Sequence, residues 1–184
     1  MSLRVISGSA KGRKLKTVPG DSTRPITDRV KEALFNILAW DIEGSSWWDI
    51  FSGTGAVGIE AISRGAGFVR FVDLDRNAVE TIRENVQHVG FSEQADIRRG
   101  DAFLMISGKP DQIFDFAYIA PPQYQGLWSK ALLGIDANIG WLSAEGSVIV
   151  QIHPKEYENL ALEHLHEYDQ RKYGSTLLVF YELN

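Results

Sequence analysis

Short apolar runs alternate along most of the chain with segments whose apolar side chains recur every three or four residues. The runs 47–51, 68–73, 96–99, 114–119 and 147–152 read as buried strands. Between them, 56–64, 76–89 and 127–135 carry the helical period, and Gly90 stops the second. Upstream, Val30, Ala33, Leu34, Ile37 and Leu38 mark a further amphipathic helix, with Thr27 or Asp28 placed to cap its first turn. This alternation predicts βαβ units around a mostly parallel sheet. The end of the chain differs: 166–172 and 175–183 meet around Tyr173-Gly174 with no helix between, so a terminal antiparallel hairpin is expected to close the sheet. At the start, Arg4-Val5-Ile6 and 15–18 flank a polar, glycine-punctuated stretch, which predicts a small β-hairpin extension.

Composition narrows the classes. With 184 residues, 44% hydrophobic and 23% charged, a folded domain with a sizeable core is expected, here divided into an N-terminal arm (1–24) and a main domain (25–184). No run approaches the roughly 18 apolar residues of a membrane span, and the first residues lack the apolar segment of a secretory signal, so no membrane association and a cytoplasmic location are expected. The absence of cysteine rules out disulfides, thiolate nucleophiles and Cys-ligated metals. His88, His153, His164 and His166 are scattered without a third ligand, and no metal is expected. The net charge of −5 conceals a polarity, since residues 1–33 hold eight basic against three acidic groups. A basic segment joined to an acidic body points to an anionic partner for that segment.

The candidate chemistry begins at Gly53, Gly55 and Gly58, a GxGxxG spacing directly after the first strand of the main domain and at the start of a helix. In such a loop the first glycine allows the turn, the second lets a ligand approach, and the third lets helix and strand pack closely. The next strand ends at Asp73, where a carboxylate can accept from both ribose hydroxyls; Asp75 is the better N-cap for the following helix. Asp101 closes the third strand and either receives an adenine amine or caps a helix. Asp49, four positions before the first glycine, is unusual for a dinucleotide fold and suits the ammonium of a methionine moiety. The fourth strand runs into Ala120-Pro121-Pro122-Gln123-Tyr124, whose two prolines fix a rigid extended turn at the cleft.

These features together resemble the S-adenosylmethionine-dependent methyltransferases of the Rossmann-like class, and within them the small 16S ribosomal RNA guanine-N2 methyltransferases, the RsmD family. The resemblance covers nearly the whole chain and is carried most specifically by Arg4-Val5-Ile6-Ser7-Gly8, by Lys11-Gly12-Arg13-Lys14-Leu15 and by the stretch from Arg24-Pro25-Ile26-Thr27-Asp28-Arg29 to Leu38. It implies a seven-stranded, mostly parallel sheet with an antiparallel C-terminal strand. The cofactor would be S-adenosylmethionine, held by Asp49, Phe51, Ser52, Gly53, Thr54 and Gly55, by Asp73 with Leu74 at the ribose, and by Asp101 with Ala102 at the adenine. It further implies methyl transfer to a guanine N2 amine of 16S ribosomal RNA or the small subunit, by a protein expected to be monomeric.

The resemblance makes 120–124 the catalytic segment, and here the sequence departs from the family. Amino-methylating relatives carry Asp or Asn, then Pro-Pro, then an aromatic residue; this chain has Ala120 and Gln123 at the outer positions. The backbone carbonyls around Ala120 and Pro121 are then expected to accept the amine hydrogens, with Tyr124 stacking on a flipped base and Gln123 bonding its edge. Arg4, Lys11, Arg13, Lys14, Arg24 and Arg29 are the candidate RNA contacts. Two alternatives stay open: a catalytically impaired RNA-binding or ribosome-assembly factor of the same fold, and a methyltransferase for a different nucleotide.

Overall fold

The structure is a computed structural model that describes residues 3–20 and 25–184. Seven strands form one sheet in the order β3-β2-β1-β4-β5-β7-β6. Strands β1 (Ser46–Asp49), β2 (Phe68–Asp73), β3 (Ala95–Arg99), β4 (Phe114–Ile119) and β5 (Leu142–Ile152) pair in parallel. The hairpin of β6 (Leu165–Tyr173) and β7 (Thr176–Leu183) inserts β7 antiparallel to both β5 and β6. The fold is therefore the Rossmann-like sheet with a reversed final strand that the alternating pattern predicts.

Two layers of side chains cover this sheet. On one face, α1 (Asp28–Ile37), α2 (Ala56–Ser63) and α3 (Arg76–Val89) pack on Trp47, Phe71, Phe116 and Phe180. On the other, α4 (Ala102–Ser107) and α5 (Leu127–Ala137) pack on Trp48, Phe114 and Val150. The consecutive tryptophans of β1 serve opposite layers, because successive side chains of a strand alternate in direction. Trp47 lies 4.6 Å from the Phe116 ring and Trp48 4.5 Å from Trp141, centroid to centroid. Caps set the helix boundaries: Thr27 Oγ1 accepts from the Val30 N–H, Asp75 from Asn77, and Gly90 ends α3 in the left-handed conformation.

The N-terminal segment forms a hairpin-like turn with a single antiparallel bridge, Arg4 to Lys14, and it is bonded into the main body. Leu3, Val5, Ala10 and Leu15 join the same core as α1 to α3. The Glu60 carboxylate, wholly buried on α2, accepts from the backbone N–H groups of Ile6 (2.8 Å) and Ser7 (3.0 Å). It also pairs with Arg64 (2.8 Å) and with the buried Lys31 of α1 (3.3 Å). Burial lowers the Lys31 pKa, and Glu60 pulls it back up. Farther along, Asn85 of α3 accepts from the Lys16 N–H and donates to the carbonyls of Lys16 and Thr54. The arm thereby touches the helix that follows the glycine loop and, through one side chain, the loop itself.

Removing Glu60 would leave the Lys31 charge buried and two backbone donors unpaired. Glu60→Ala is expected to destabilise the protein by about 3–5 kcal/mol in chemical denaturation and to expose the amides of Ile6 and Ser7 to hydrogen exchange. Unchanged stability would contradict this role.

Candidate active site

At the carboxyl ends of the parallel strands, where neighbouring connections leave β1 in opposite directions, lies a cavity of about 940 Å³. Its floor is Asp49, at the end of β1, with Tyr118 directly beside it on β4. One wall is the glycine loop with Asp73 and Leu74, a second is Asp101, Ala102 and Phe103, and a third is 120–123. Pro25 and Ile26, just before α1, close it from the side of the arm.

Asp49 is the dominant electrostatic feature. It is 1% exposed, and among the described residues neither carboxylate oxygen has a hydrogen-bond partner. Burial pushes its pKa up to about 7; the Gly58 N–H opposes the rise without reaching hydrogen-bond geometry, and the nearby Asp73 charge adds to it. A buried, unpaired carboxylate that lines a cavity is a site awaiting a cation or a donor. Burial likewise raises the Tyr118 hydroxyl pKa, reinforced by Asp49, and that hydroxyl donates to Gln151 Oε1 of β5.

The other carboxylates are anchored. Asp73 accepts from the Gly53 N–H (2.8 Å) and the Asp75 N–H (2.9 Å), which fixes the glycine loop against the end of β2. Asp101 accepts from the N–H groups of Phe103 and Leu104, so it caps α4 while lining the cavity. Of the two readings weighed for Asp101 the helix cap is the one observed, and its other oxygen stays outside those cap bonds.

The glycines divide their work differently from the expectation. Gly53, at φ 55°, has open space where a Cβ would stand, and it is the loop glycine that lines the cavity. Gly55 is not brought to the cavity; its φ of 78° and a virtual Cβ 3.3 Å from Ile82 make it a conformational and packing requirement. Gly58 behaves as expected, since a Cβ there would stand 2.3 Å from the Phe71 ring.

Of the remaining candidates, Asp49, Phe51, Ser52, Gly53, Thr54, Asp73, Leu74, Asp101 and Ala102 line the cavity, as do Ala120, Pro121, Pro122 and Gln123. Ser52 also has an architectural role, donating to the Asp49 carbonyl and accepting from the Val72 N–H. Tyr124 is 64% exposed and outside the lining, although both its neighbours belong to it. Its backbone is held at φ 61° and its N–H donates to Glu156, while its ring rests 5.6 Å from the His153 ring. Sequence reasoning did not assign Pro25, Ile26, Tyr118, Gln125, Leu127 or Gln151 to the site, and these also line the cavity. Gln151 carried a readable signal, a lone polar residue inside the apolar run 148–152.

Folding sorts the basic candidates. Arg4 pairs with Asp28, and Arg13 donates to the His88 carbonyl at the end of α3. Lys11, Lys14 and Arg29 are exposed and make no ion pair among the described residues. Arg24 lies outside the described residues. Among the described residues there is no group of three or more His, Cys, Asp or Glu side chains able to hold a metal ion, and no helix long and apolar enough to cross a membrane.

Comparison with known proteins places this geometry in context. Residues 3–182 match the family model described as conserved hypothetical protein 95. A Bacillus subtilis protein named "Putative rRNA methyltransferase YlbH" is 39% identical over 158 residues, covering 85% of each chain. Ribosomal RNA small subunit methyltransferase D of Escherichia coli K12 is 33% identical over 166 residues, which cover 85% of this chain and 76% of that protein. The solved structure titled "Putative methyltransferase yhhF from Escherichia coli" superposes with a TM-score of 0.88 at 27% identity, covering 100% of this chain and 99% of that one.

The raised Asp49 pKa has a direct consequence for stability without ligand. The folded state holds a proton that the unfolded state releases near its ordinary value of 3.8, so folding is opposed increasingly as pH rises from there to about 7, and constantly above that. Asp49→Asn removes the effect. Its stability gain over the unsubstituted protein is expected to be small near pH 4, to grow by up to about 1.4 kcal/mol per pH unit, and to level off above neutrality. A gain independent of pH in denaturation curves would contradict the assignment.

Proposed function

We propose, on the premise that this chain belongs to the conserved hypothetical protein 95 family, the RsmD family, that it transfers a methyl group from S-adenosylmethionine to the N2 amine of a guanine in 16S ribosomal RNA. The observation that carries this reading is the orphaned Asp49 carboxylate beside the open face of Gly53. Its partner must be cationic or a donor, and the ammonium of a methionine moiety is both. Asp73 would hold the ribose hydroxyls, Asp101 and Ala102 the adenine, and Leu74 and Phe103 its apolar flanks, all within one cavity. The names of the relatives point to the substrate class, ribosomal RNA.

When bound, S-adenosylmethionine supplies an electrophilic methyl group on a sulfonium. The guanine amine is a weak nucleophile because its lone pair is delocalised into the ring. It must be held in line, about 3–3.5 Å from the methyl carbon. In such a transfer its lone pair would form the new N–C bond, the C–S pair would return to sulfur, and the proton lost from the methylated amine would pass to solvent water. The Ala120 and Pro121 carbonyls, on a turn that the prolines keep rigid, are suited to accept from that amine. Tyr124, at the rim, is available to stack on a base withdrawn from its helix. Among the described candidates, the exposed Lys11 and Lys14 of the arm and Arg29 of α1 make no ion pair and would track phosphates.

The test is transfer of labelled methyl from S-adenosylmethionine to small ribosomal subunits from cells lacking the protein, followed by mapping of the modified nucleotide. The expected product is N2-methylguanine at one position of 16S ribosomal RNA. Cofactor binding with no transfer, or a different methylated nucleotide, would overturn the reading. Tyr124→Ala is expected to lower kcat at least about tenfold while leaving cofactor affinity within about twofold. Reversing Lys11 and Lys14 to Glu is expected to weaken RNA binding more at low salt than at high salt; unchanged affinity would make the arm purely structural.

A further inference from the structure

The loss of a polar side chain at position 120 leaves an accepting amine with only backbone groups on that strand. Sheet register shows what stands next to the gap. Tyr118 pairs with Asp49 of β1 on one side and with Ile149 of β5 on the other. The parallel pairing ends with Ile119 and Val150, and Ala120, just past β4, and Gln151 of β5 are the residues that follow that pair. Side chains two apart on a strand share a face, which puts both on the face of Tyr118 and Ile149, toward α1 and the arm. Both line the cavity.

Gln151 is also held in place. The Tyr118 hydroxyl, buried deep in the site, donates to Gln151 Oε1, and this is the hydrogen bond that satisfies it. One Oε1 lone pair is thereby used, and the amide nitrogen has no partner among the described residues. An amide so fixed presents an acceptor and two N–H donors side by side. On guanine, the N2 amine lies next to the acceptor N3, a donor–acceptor pair that an amide matches with two parallel hydrogen bonds. Gln123, by contrast, is exposed at the rim on the segment that leads into α5.

We propose that Gln151, oriented by Tyr118, hydrogen-bonds the amine and adjacent ring nitrogen of the accepting base, replacing from the neighbouring strand the side chain that Ala120 lacks. Gln151 contacts the substrate, and Tyr118 is a positioning residue. The inference rests on the amine-methylating reading above and assigns a base-recognition residue within it. It adds no new step to the transfer. The amine proton departs as before, and Gln151 fixes the direction from which the lone pair meets the methyl group.

The experiment measures steady-state transfer to small subunits, together with calorimetric S-adenosylmethionine affinity, for three single and two double variants. Gln151→Ala, and the closer-sized Gln151→Met should the alanine form fail to fold, are expected to lower kcat about 100-fold with cofactor affinity unchanged. Tyr118→Phe is expected to lower kcat about tenfold, with no added effect in the Gln151→Ala background, because it acts only through the amide. Introducing Ala120→Asn into Gln151→Ala is expected to recover at least about tenfold, a rescue that a merely structural glutamine would not show. Full turnover by the Gln151 variants, parallel loss of cofactor affinity and turnover, or no rescue would overturn the proposal while leaving the methyl-transfer reading intact. No transfer by the unsubstituted protein would instead remove that reading, and this proposal with it.

Discussion

Burying the Asp49 carboxylate without a hydrogen bond opposes folding of the ligand-free protein, and among the described residues only the nearby Gly58 N–H offsets part of that cost. Asp49 ends β1 at the point where the sheet order turns, so its side chain projects into the crevice and its backbone is held by β2 and β4. Ser52 bonds back to the Asp49 carbonyl and Gly53 bonds to Asp73, which pulls the loop clear of the carboxylate instead of over it. The neighbouring Tyr118 hydroxyl, the nearest candidate donor on β4, is committed to Gln151. What remains is a negative group that can be satisfied only from the cavity, which is how a site stores part of its affinity for a cation.

The arm is tied to this centre through side chains of α2, Glu60 and Ser63, and through Asn85 of α3. Glu60 holds the Ile6–Ser7 backbone from the helix that begins at the glycine loop, and Asn85 joins Lys16 to the Thr54 carbonyl. A segment that reads as a detached basic extension is thereby braced against the cofactor loop. Part of its positive charge is consumed in that bracing, in the Arg4–Asp28 and Lys16–Glu84 pairs.

Most of the sheet was legible because its strands are buried on both faces and read as uninterrupted apolar runs. β2, β4 and α3 fall where the pattern places them, and the final hairpin was visible as two consecutive strands around Tyr173-Gly174 with no helix between, the first of them largely polar. β5 begins at Leu142, five residues before its expected start, because Glu145 and Gly146 interrupt the apolar pattern where the strand is still solvated. α4 was missed for a different reason: six residues are too few to show a period, although its Asp101 cap was recognised as such an option. At the site, the carboxylates and the proline turn were readable because their chemistry is tied to strand ends. A lone polar residue was visible at position 151, but its pairing with Tyr118 was not, since that depends on the register between β4 and β5, which one sequence does not state.

The measurement that bears most directly on the Asp49 account is the number of protons exchanged when S-adenosylmethionine binds, obtained by calorimetry in buffers of different ionisation enthalpy. With the carboxyl half-protonated at about pH 7 in the free protein, binding of an ammonium should release close to one proton near pH 6, with the release fading above pH 8. In Asp49→Asn that release should vanish and affinity should fall. Equal proton release in both proteins, or tight binding that ignores the substitution, would contradict the claim that this carboxylate receives the cofactor.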